Sequence, residues 1–218
     1  MDDHPFVRDF IFRELAPSEL SLALDVRRAV YVDELRYDAA RVLEDPFDQR
    51  ARHFVGTTRA GEPVAAMRTI DERARPFELE SFVSIAPFLP EAGHPAEMSR
   101  MCILPRFRRI ARTQFVHAGM SKFAYAAATA AGITELWIWA TLPIVRVYGY
   151  IGFRQVPGLS FVHPLFGNNE YHVMRVDLRK LEAEYRRRKH PLADFLFGAS
   201  PGASAGPFSS GGEGHGQR

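Results

Sequence analysis

Glu97-Met98-Ser99-Arg100 opens an apolar run that continues to Leu104. Such a run folds as a strand against a core. A carboxylate and a guanidinium inside it constrain the fold further, because an isolated charge in low dielectric is costly unless it is paired or used. Four arginines follow at once: Arg106, Arg108, Arg109 and Arg112. Two readings stand side by side. One is a structural ion pair beside a solvated basic loop. The other is a site in which a carboxylate takes a proton next to a cationic patch suited to an anionic or phosphate-bearing donor.

The segments around this strand set the fold class. Residues 6–12 alternate as a first strand. Residues 17–35 place Leu22, Val26, Ala29, Val30 and Leu35 at helical spacing. An acidic turn region covers 41–49, and 53–57 with 64–70 read as a hairpin around Gly61. A Phe-rich, Pro-punctuated stretch runs from Pro76 to Pro95. Residues 114–131 are small and alanine-rich, a helix suited to close packing on a sheet, stopped by Gly132. A strand over 134–140 carries Trp137 and Trp139 on one face. A short helix (143–151), strands over 153–156 and 171–178, and a polar helix over 178–189 complete the order. We expect one mixed α/β domain of the α+β type over 1–197, a twisted sheet with helices on both faces. No Gly-x-Gly-x-x-Gly follows a strand, which argues against a dinucleotide fold. From residue 198 the chain is Gly/Ser/Pro-rich and is expected to be disordered.

Composition narrows the function classes. The chain has 218 residues, 46% of them hydrophobic, with 17 Phe, which suffices for a large core. Net charge is only +2, so no nucleic-acid partner is expected. One cysteine excludes an intrachain disulfide or a multi-cysteine metal site, and the histidines lack ligand spacing; no metal is expected. The acidic N-terminus lacks a secretory h-region and no apolar run approaches a bilayer span, so a cytoplasmic location is expected.

Several separated segments carry a family resemblance. Arg27 with Tyr31 four residues on, then Tyr37, resembles a first-helix arginine followed by two aromatics. Asp45-Pro46-Phe47-Asp48 resembles an Asp-x-aromatic-Asp turn. Met67-Arg68 resembles a strand arginine, and Glu97-Met98-Ser99-Arg100 a Glu-x-Ser-Arg strand. Together these resemble the GNAT acyltransferase superfamily and, within it, the acyl-homoserine-lactone (autoinducer, quorum-sensing) synthases and the long-chain N-acyl amino acid synthases, over roughly residues 26–178. Residues 108–112 hold Arg-Arg-Ile-Ala-Arg where acetyl-CoA-type members carry a Gly-rich loop. Asp48-Gln49-Arg50-Ala51-Arg52-His53-Phe54 looks more like the N-acyl amino acid branch. The resemblance implies transfer of a medium or long acyl chain from acyl carrier protein, or from acyl-CoA, to the α-amine of an amino acid. The alternatives are an autoinducer synthase using S-adenosylmethionine and a non-catalytic module that binds the acyl carrier. No tightly bound cofactor is implied beyond the donor's own phosphopantetheine.

The residues can be assigned roles on this basis. Glu97 is the candidate base, with Ser99 on its face to position the amine or a water, and Arg100 beside them. Strict alternation sends Arg100 to the opposite face from Glu97, where it could meet Asp45 or Asp48. Arg27, Asp45, Asp48 and Arg68 read as a buried clamp that holds the first helix and turn over the pocket. Arg106, Arg108, Arg109 and Arg112 would meet the donor's phosphate or an acidic carrier surface. The resemblance places the donor's pantetheine arm between the Glu97 and Trp137 strands, with Thr141 near the first acyl carbons and Tyr148 near the sulfur. Cys102 reads as a small core residue. The basic helix after 178, with Leu192, Phe195, Leu196 and Phe197, is a candidate for docking on the domain, for peripheral membrane contact or for carrier contact.

Overall fold

The computed structural model describes residues 7–108, 116–164 and 166–198. Seven strands form one sheet: β1 (Phe10–Glu14), β2 (Arg52–Thr58), β3 (Pro63–Asp71), β4 (Pro95–Ile103), β5 (Glu135–Ala140), β6 (Arg154–Val162) and β7 (Glu170–Asp177), in the order β1-β2-β3-β4-β5-β7-β6. Only β4 and β5 are parallel. Their crossover is α3 (Val116–Ala130), long enough to return the chain to the same end of the sheet. The other helices are α1 (Leu20–Arg27), α2 (Ala39–Leu43), α4 (Leu142–Tyr150), α5 (Leu178–Arg187) and α6 (Ala193–Phe197). The expected mixed α/β class is observed. The first strand starts later than expected, and α1 continues through a π-helical stretch over Arg28–Glu34. The acidic turn region holds α2 and a 3-10 turn over Pro46–Arg50.

Alternation along the strands divides the core into two layers. Phe54, Met67, Met98, Leu136 and Ile138 pack under α3. On the other face, Ala23, Val26 and Val30 of α1 cover Val55, Ala66 and Cys102. Beside them Val42, Phe77, Leu79 and Ile85 cover Ile70 and Trp137. Arg27, Asp45, Asp48, Arg68, Glu97 and Arg100 lie on this second face, while Tyr148 belongs to the α3 layer. Cys102 is a buried free thiol whose pKa burial pushes up to about 11, as a core residue requires.

The helix after 178 has more of an apolar face than its sequence suggests. Leu181 and Tyr185 of α5, with Phe195 and Leu196 of α6, are buried in the α3 layer. These side chains are committed to the domain, which removes them from any membrane contact. No helix among the described residues is long and apolar enough to cross a membrane. Except for Gly198, the tail lies outside the described residues.

The α3 layer is tight where α3 crosses β1. A Cβ on Gly119 would lie 2.4 Å from Phe12 Cζ and 2.7 Å from Val7 Cγ1. Gly119→Ala is therefore expected to lower stability by about 1–3 kcal/mol despite its better helix propensity, measured by urea denaturation. An unchanged midpoint would mean that Phe12 moves aside without strain.

Candidate active site

β4 and β5 pair only at Pro95–Glu135, Ala96–Leu136 and Glu97–Trp137. Beyond that point β5 continues to pair with β7 and β4 with β3, so the two strands splay. A cavity of about 410 Å³ fills the opening. Met98, Ser99, Arg100 and Met101 line one side, and Ile138, Trp139, Ala140 and Thr141 the other. Tyr31, Tyr37, Phe166 and Tyr171 form an aromatic wall, while Ile144, Tyr148 and Leu35 stand around the remainder. Tyr31 stacks on Tyr37 at 6.2 Å and Tyr37 meets Phe166 at 5.2 Å. Tyr31 also donates to the Met101 carbonyl across 3.3 Å, which ties the first helix to β4.

A β-bulge corrects the expected direction of Arg100. Arg68 faces Ser99 and Ala66 faces Cys102, so two steps on β3 oppose three on β4. Arg100 sits in the left-handed region at φ 55°. The extra residue re-aims its side chain to the face of Glu97 and Ser99, which simple alternation would not allow. Holding a branched-path conformation of this kind costs about 1–2 kcal/mol, and the buried partners of Arg100 offset it. The guanidinium reaches Asp45 Oδ2 at 2.5 Å and Glu78 Oε1 at 2.6 Å, and lies 4.8 Å above Phe166 and 5.9 Å above Trp139.

Under the cavity floor the charges form one connected network. Arg27 Nη1 donates to Asp48 Oδ2 at 2.6 Å. Arg68 Nη1 reaches Asp48 Oδ1 at 2.6 Å and Asp45 Oδ2 at 2.9 Å; its Nη2 donates to Glu78 Oε2 at 2.8 Å, and its Nε to Ser99 Oγ at 3.0 Å. Asp45 and Asp48 are placed by their own turn: the Asp45 side chain accepts from the Phe47 N–H and caps the 3-10 turn that carries Asp48. His53 lies beside Asp48, with Nε2 3.0 Å from the Asp48 carbonyl and Nδ1 3.4 Å from Arg27. A neutral ring protonated on Nε2 satisfies both contacts, and burial lowers its pKa.

Arg27, Arg68 and Arg100 are thus opposed by Asp45, Asp48 and Glu78. Burial alone would raise the aspartate and glutamate pKa values; for Asp48 the neighbouring Arg27 and Arg68 outweigh it, and its pKa is lowered. Glu78 is held far below the usual carboxylate range by Arg100, His163 and Arg68, against the effect of burial. Glu97 is the surplus acid. It is fully buried, and the Leu79 N–H donates to it, at 2.9 Å onto Oε2. Its Oε1 lacks a hydrogen-bond partner among the described residues. Burial first, and then the Glu78 charge, raise its pKa to about 7, with smaller opposing effects from Leu79, Arg68 and Ser99. A carboxyl that exchanges its proton near neutrality can serve acid–base chemistry.

The sequence-derived candidates separate into three groups. Ser99, Arg100, Tyr31, Tyr37, Thr141 and Tyr148 line the cavity. Arg27, Asp45, Asp48, Arg68 and Glu97 lie beneath it, Glu97 without direct exposure to it. Trp137 does not line the cavity: it is fully buried against Ile70, Phe77 and Leu79, its indole N–H 3.3 Å from Glu135, because it sits at the last paired position of β4 and β5 and the opening begins beyond it, at Trp139. Of the basic patch, Arg106 pairs with Glu62, and Arg108 pairs with Glu34 at 2.7 Å and donates to the Ile103 carbonyl. Arg109 and Arg112 lie outside the described residues. Sequence reasoning missed Glu78 and His163. No spacing or periodicity marks Glu78 in its Pro-punctuated stretch, and in the sequence Glu97 already stands as a third acid against three arginines. Among the described residues no group of three or more His, Cys, Asp or Glu could hold a metal ion.

Residues 26–117 match the family model described as an acetyltransferase (GNAT) domain. The structure is similar to FeeM, an N-acyl amino acid synthase from uncultured soil microbes, at 21% identity and a TM-score of 0.64, covering 85% of this chain and 97% of that one. It is similar to TofI, solved in a ternary complex with an inhibitor and MTA, at 17% identity and 0.56, covering 78% and 91%. It is also similar to an acyl-CoA N-acyltransferase from Pseudomonas aeruginosa at 20% and 0.54, covering 77% and 99%. A search of curated protein sequences gives no significant match. The splayed β4–β5 pair and the strand order belong to a fold that this chain shares with those structures, and residues 26–117, which match the acetyltransferase (GNAT) domain model, contain β2, β3 and β4 of it.

Proposed function

We propose that the protein is an N-acyltransferase that moves a medium or long fatty acyl chain from acyl carrier protein to the α-amine of an amino acid. The observation that carries this reading is the aromatic and aliphatic cavity between β4 and β5, set above a buried carboxyl that titrates near neutrality. Past Glu97 the β5-facing edge of β4 has no strand partner, so an extended donor arm with amide groups can pair with it as an added strand. Met98, Ile138, Ala140 and Tyr148 offer apolar surface to the acyl chain. The similarity to FeeM supports the choice of acceptor class.

The amine nitrogen attacks the thioester carbonyl carbon; the C–N bond forms and the C–S bond breaks. The nitrogen gives up two protons: the ammonium loses one to solvent before attack, and the second leaves as the C–N bond forms. Ser99 lines the cavity, and its oxygen already accepts from Arg68 Nε, so its O–H is oriented away from that bond. It can pass a proton from the amine to Glu97, the ionised fraction of which is substantial near pH 7. The departing sulfur takes up a proton as it leaves, and Tyr148, a cavity-lining hydroxyl that burial keeps protonated, can donate a hydrogen bond to it.

The test is incubation with matched acyl-carrier-protein and acyl-CoA donors and a panel of amino acids, with S-adenosylmethionine as a separate acceptor, followed by mass spectrometry. N-acyl amino acid is the expected product. A lactone product formed from S-adenosylmethionine would replace the acceptor assignment, and donor binding without turnover would replace catalysis with carrier sensing. For the donor, Arg106 and Arg108 are rim cations with exposed carboxylate partners, so their effect is on encounter and is screened by salt. The KM for acyl carrier protein is expected to rise with ionic strength and with Arg108→Glu, while kcat changes little. A preference for acyl-CoA with no salt dependence would remove carrier protein from the proposal.

A further inference from the structure

Glu97 sits within one strand of two guanidinium groups, yet neither Arg68 nor Arg100 hydrogen-bonds to it. The reason is Glu78. Its two carboxylate oxygens engage Arg100 at 2.6 Å and Arg68 at 2.8 Å. With Asp45, Asp48 and Ser99 taking three further donor directions, four of the five Arg68 N–H groups are committed to partners other than Glu97. The next residue, Leu79, donates its backbone N–H to Glu97. A single 3-10 turn, Glu78–Ser81, therefore both occupies the arginines and grips the carboxyl they would otherwise neutralise. Phe77 and Leu79, fully buried on either side of Glu78, fix the turn in place.

We propose that Glu78 is a positioning residue for proton transfer in this site: its two carboxylate oxygens hold Arg68 and Arg100, so that Glu97 is left without a cationic partner and free to exchange a proton. The inference rests on the acyltransferase reading for its use, but its physical content is independent of it. The groups that face the pair are known from every packed element. Arg68 comes from β3, Arg100 and Ser99 from β4, Asp45 from the turn before β2, and His163, 3.5 Å from Glu78 Oε1, from the end of β6. Asp45 and Asp48 balance Arg27 and part of Arg68 whatever happens at Glu78. Removing the Glu78 charge leaves Arg68 and Arg100 each short of one anionic partner, and Glu97 is the buried acid of this site that pairs with neither. The charged form of Glu97 then gains a partner, and its proton is released at lower pH.

The test uses the full chain carrying carbon-13-labelled glutamate, with wild type, Glu78→Gln and Glu78→Asp, and Glu97→Gln to assign the resonance. The Glu97 carboxyl is expected to titrate near neutrality in wild type, about one unit or more lower in Glu78→Gln, and close to wild type in Glu78→Asp, which keeps the charge. The acidic limb of the kcat/KM profile should move with it; a purely structural loss would lower the rate evenly across pH. A folded Glu78→Gln with an unmoved Glu97 titration overturns the proposal. Should Glu78→Gln fail to fold, wild type and Glu78→Asp decide: Glu78 ionised throughout while Glu97 titrates near neutrality supports it, and Glu97 titrating in the ordinary carboxylate range overturns it. Titrations that move as expected in a protein that transfers no acyl group would sink the enzymatic reading and leave the role of Glu78 standing.

Discussion

Arg68→Ala is expected to lose about 3–5 kcal/mol of stability, the cost of leaving buried carboxylates without their partner. No other side chain in the network is so placed: Arg68 is fully buried and touches Asp45, Asp48, Glu78 and Ser99 at once. For a chain of this size the loss corresponds to a fall in Tm of about 10 °C. Arg108→Ala is the control, since its partner Glu34 is at the surface and such pairs contribute about 1 kcal/mol or less. The wild-type network also sets a direction with pH. Asp48 and Glu78 have lowered pKa values, so their contribution is complete above the unfolded carboxylate range and is lost as pH falls through their folded values. Arg68→Ala should accordingly flatten acid unfolding. A variant that melts like wild type and loses only activity would mean that the network acts in the chemistry rather than as a clamp.

Glu97→Gln should do the opposite to stability while removing turnover. Loss of a general base lowers the rate by about 10²–10⁴. Stability moves the other way because the folded pKa of Glu97 lies above its unfolded value. The native state holds the proton more tightly, so the charged carboxylate opposes folding as pH rises from about 4.5 to about 7. Near pH 4.5 Glu97→Gln should melt close to wild type. Above neutrality it should be more stable, by up to about 3 kcal/mol, since glutamine cannot ionise. Thermal melts at pH 4.5 and pH 8 with paired product assays check this. Near-wild-type kcat would remove Glu97 as the base, and equal melting at both pH values would mean that Glu97 remains ionised in the fold. Stability gained with activity lost is the usual relation for a group strained by its task.

The aromatic wall and the network arise from one arrangement. The π-helical continuation of α1 carries Tyr31 over the cavity, while Arg27, one helical turn earlier, reaches down to Asp48. The first helix therefore bears on both the pocket and the charge balance beneath it. His53 completes this corner in a neutral state, adding no charge to a balanced set.

Residue types and spacing were enough to establish the mixed sheet, the order of its elements and the close-packed α3 with its Gly132 stop; the grouping of Arg27 and Arg68 with the Asp45–Asp48 turn came from the family resemblance. Apolar periodicity and charges in apolar runs are local properties, and they determine which surfaces must be buried and which charges need partners. Three features were decided only by tertiary structure. The bulge at Arg100 depends on a register shift between β3 and β4, which breaks the alternation from which its direction was read. Trp137 rather than Trp139 is withdrawn from the opening because the splay begins immediately after Glu97–Trp137. Glu78 enters from an irregular Pro-punctuated stretch with no periodicity to read, and its place is fixed by the burial of Phe77 and Leu79 against the sheet. The sequence determined that three arginines needed anions; which anions they found, and which carboxyl was left holding a proton, followed from long-range packing that brings the 77–79 turn against β4.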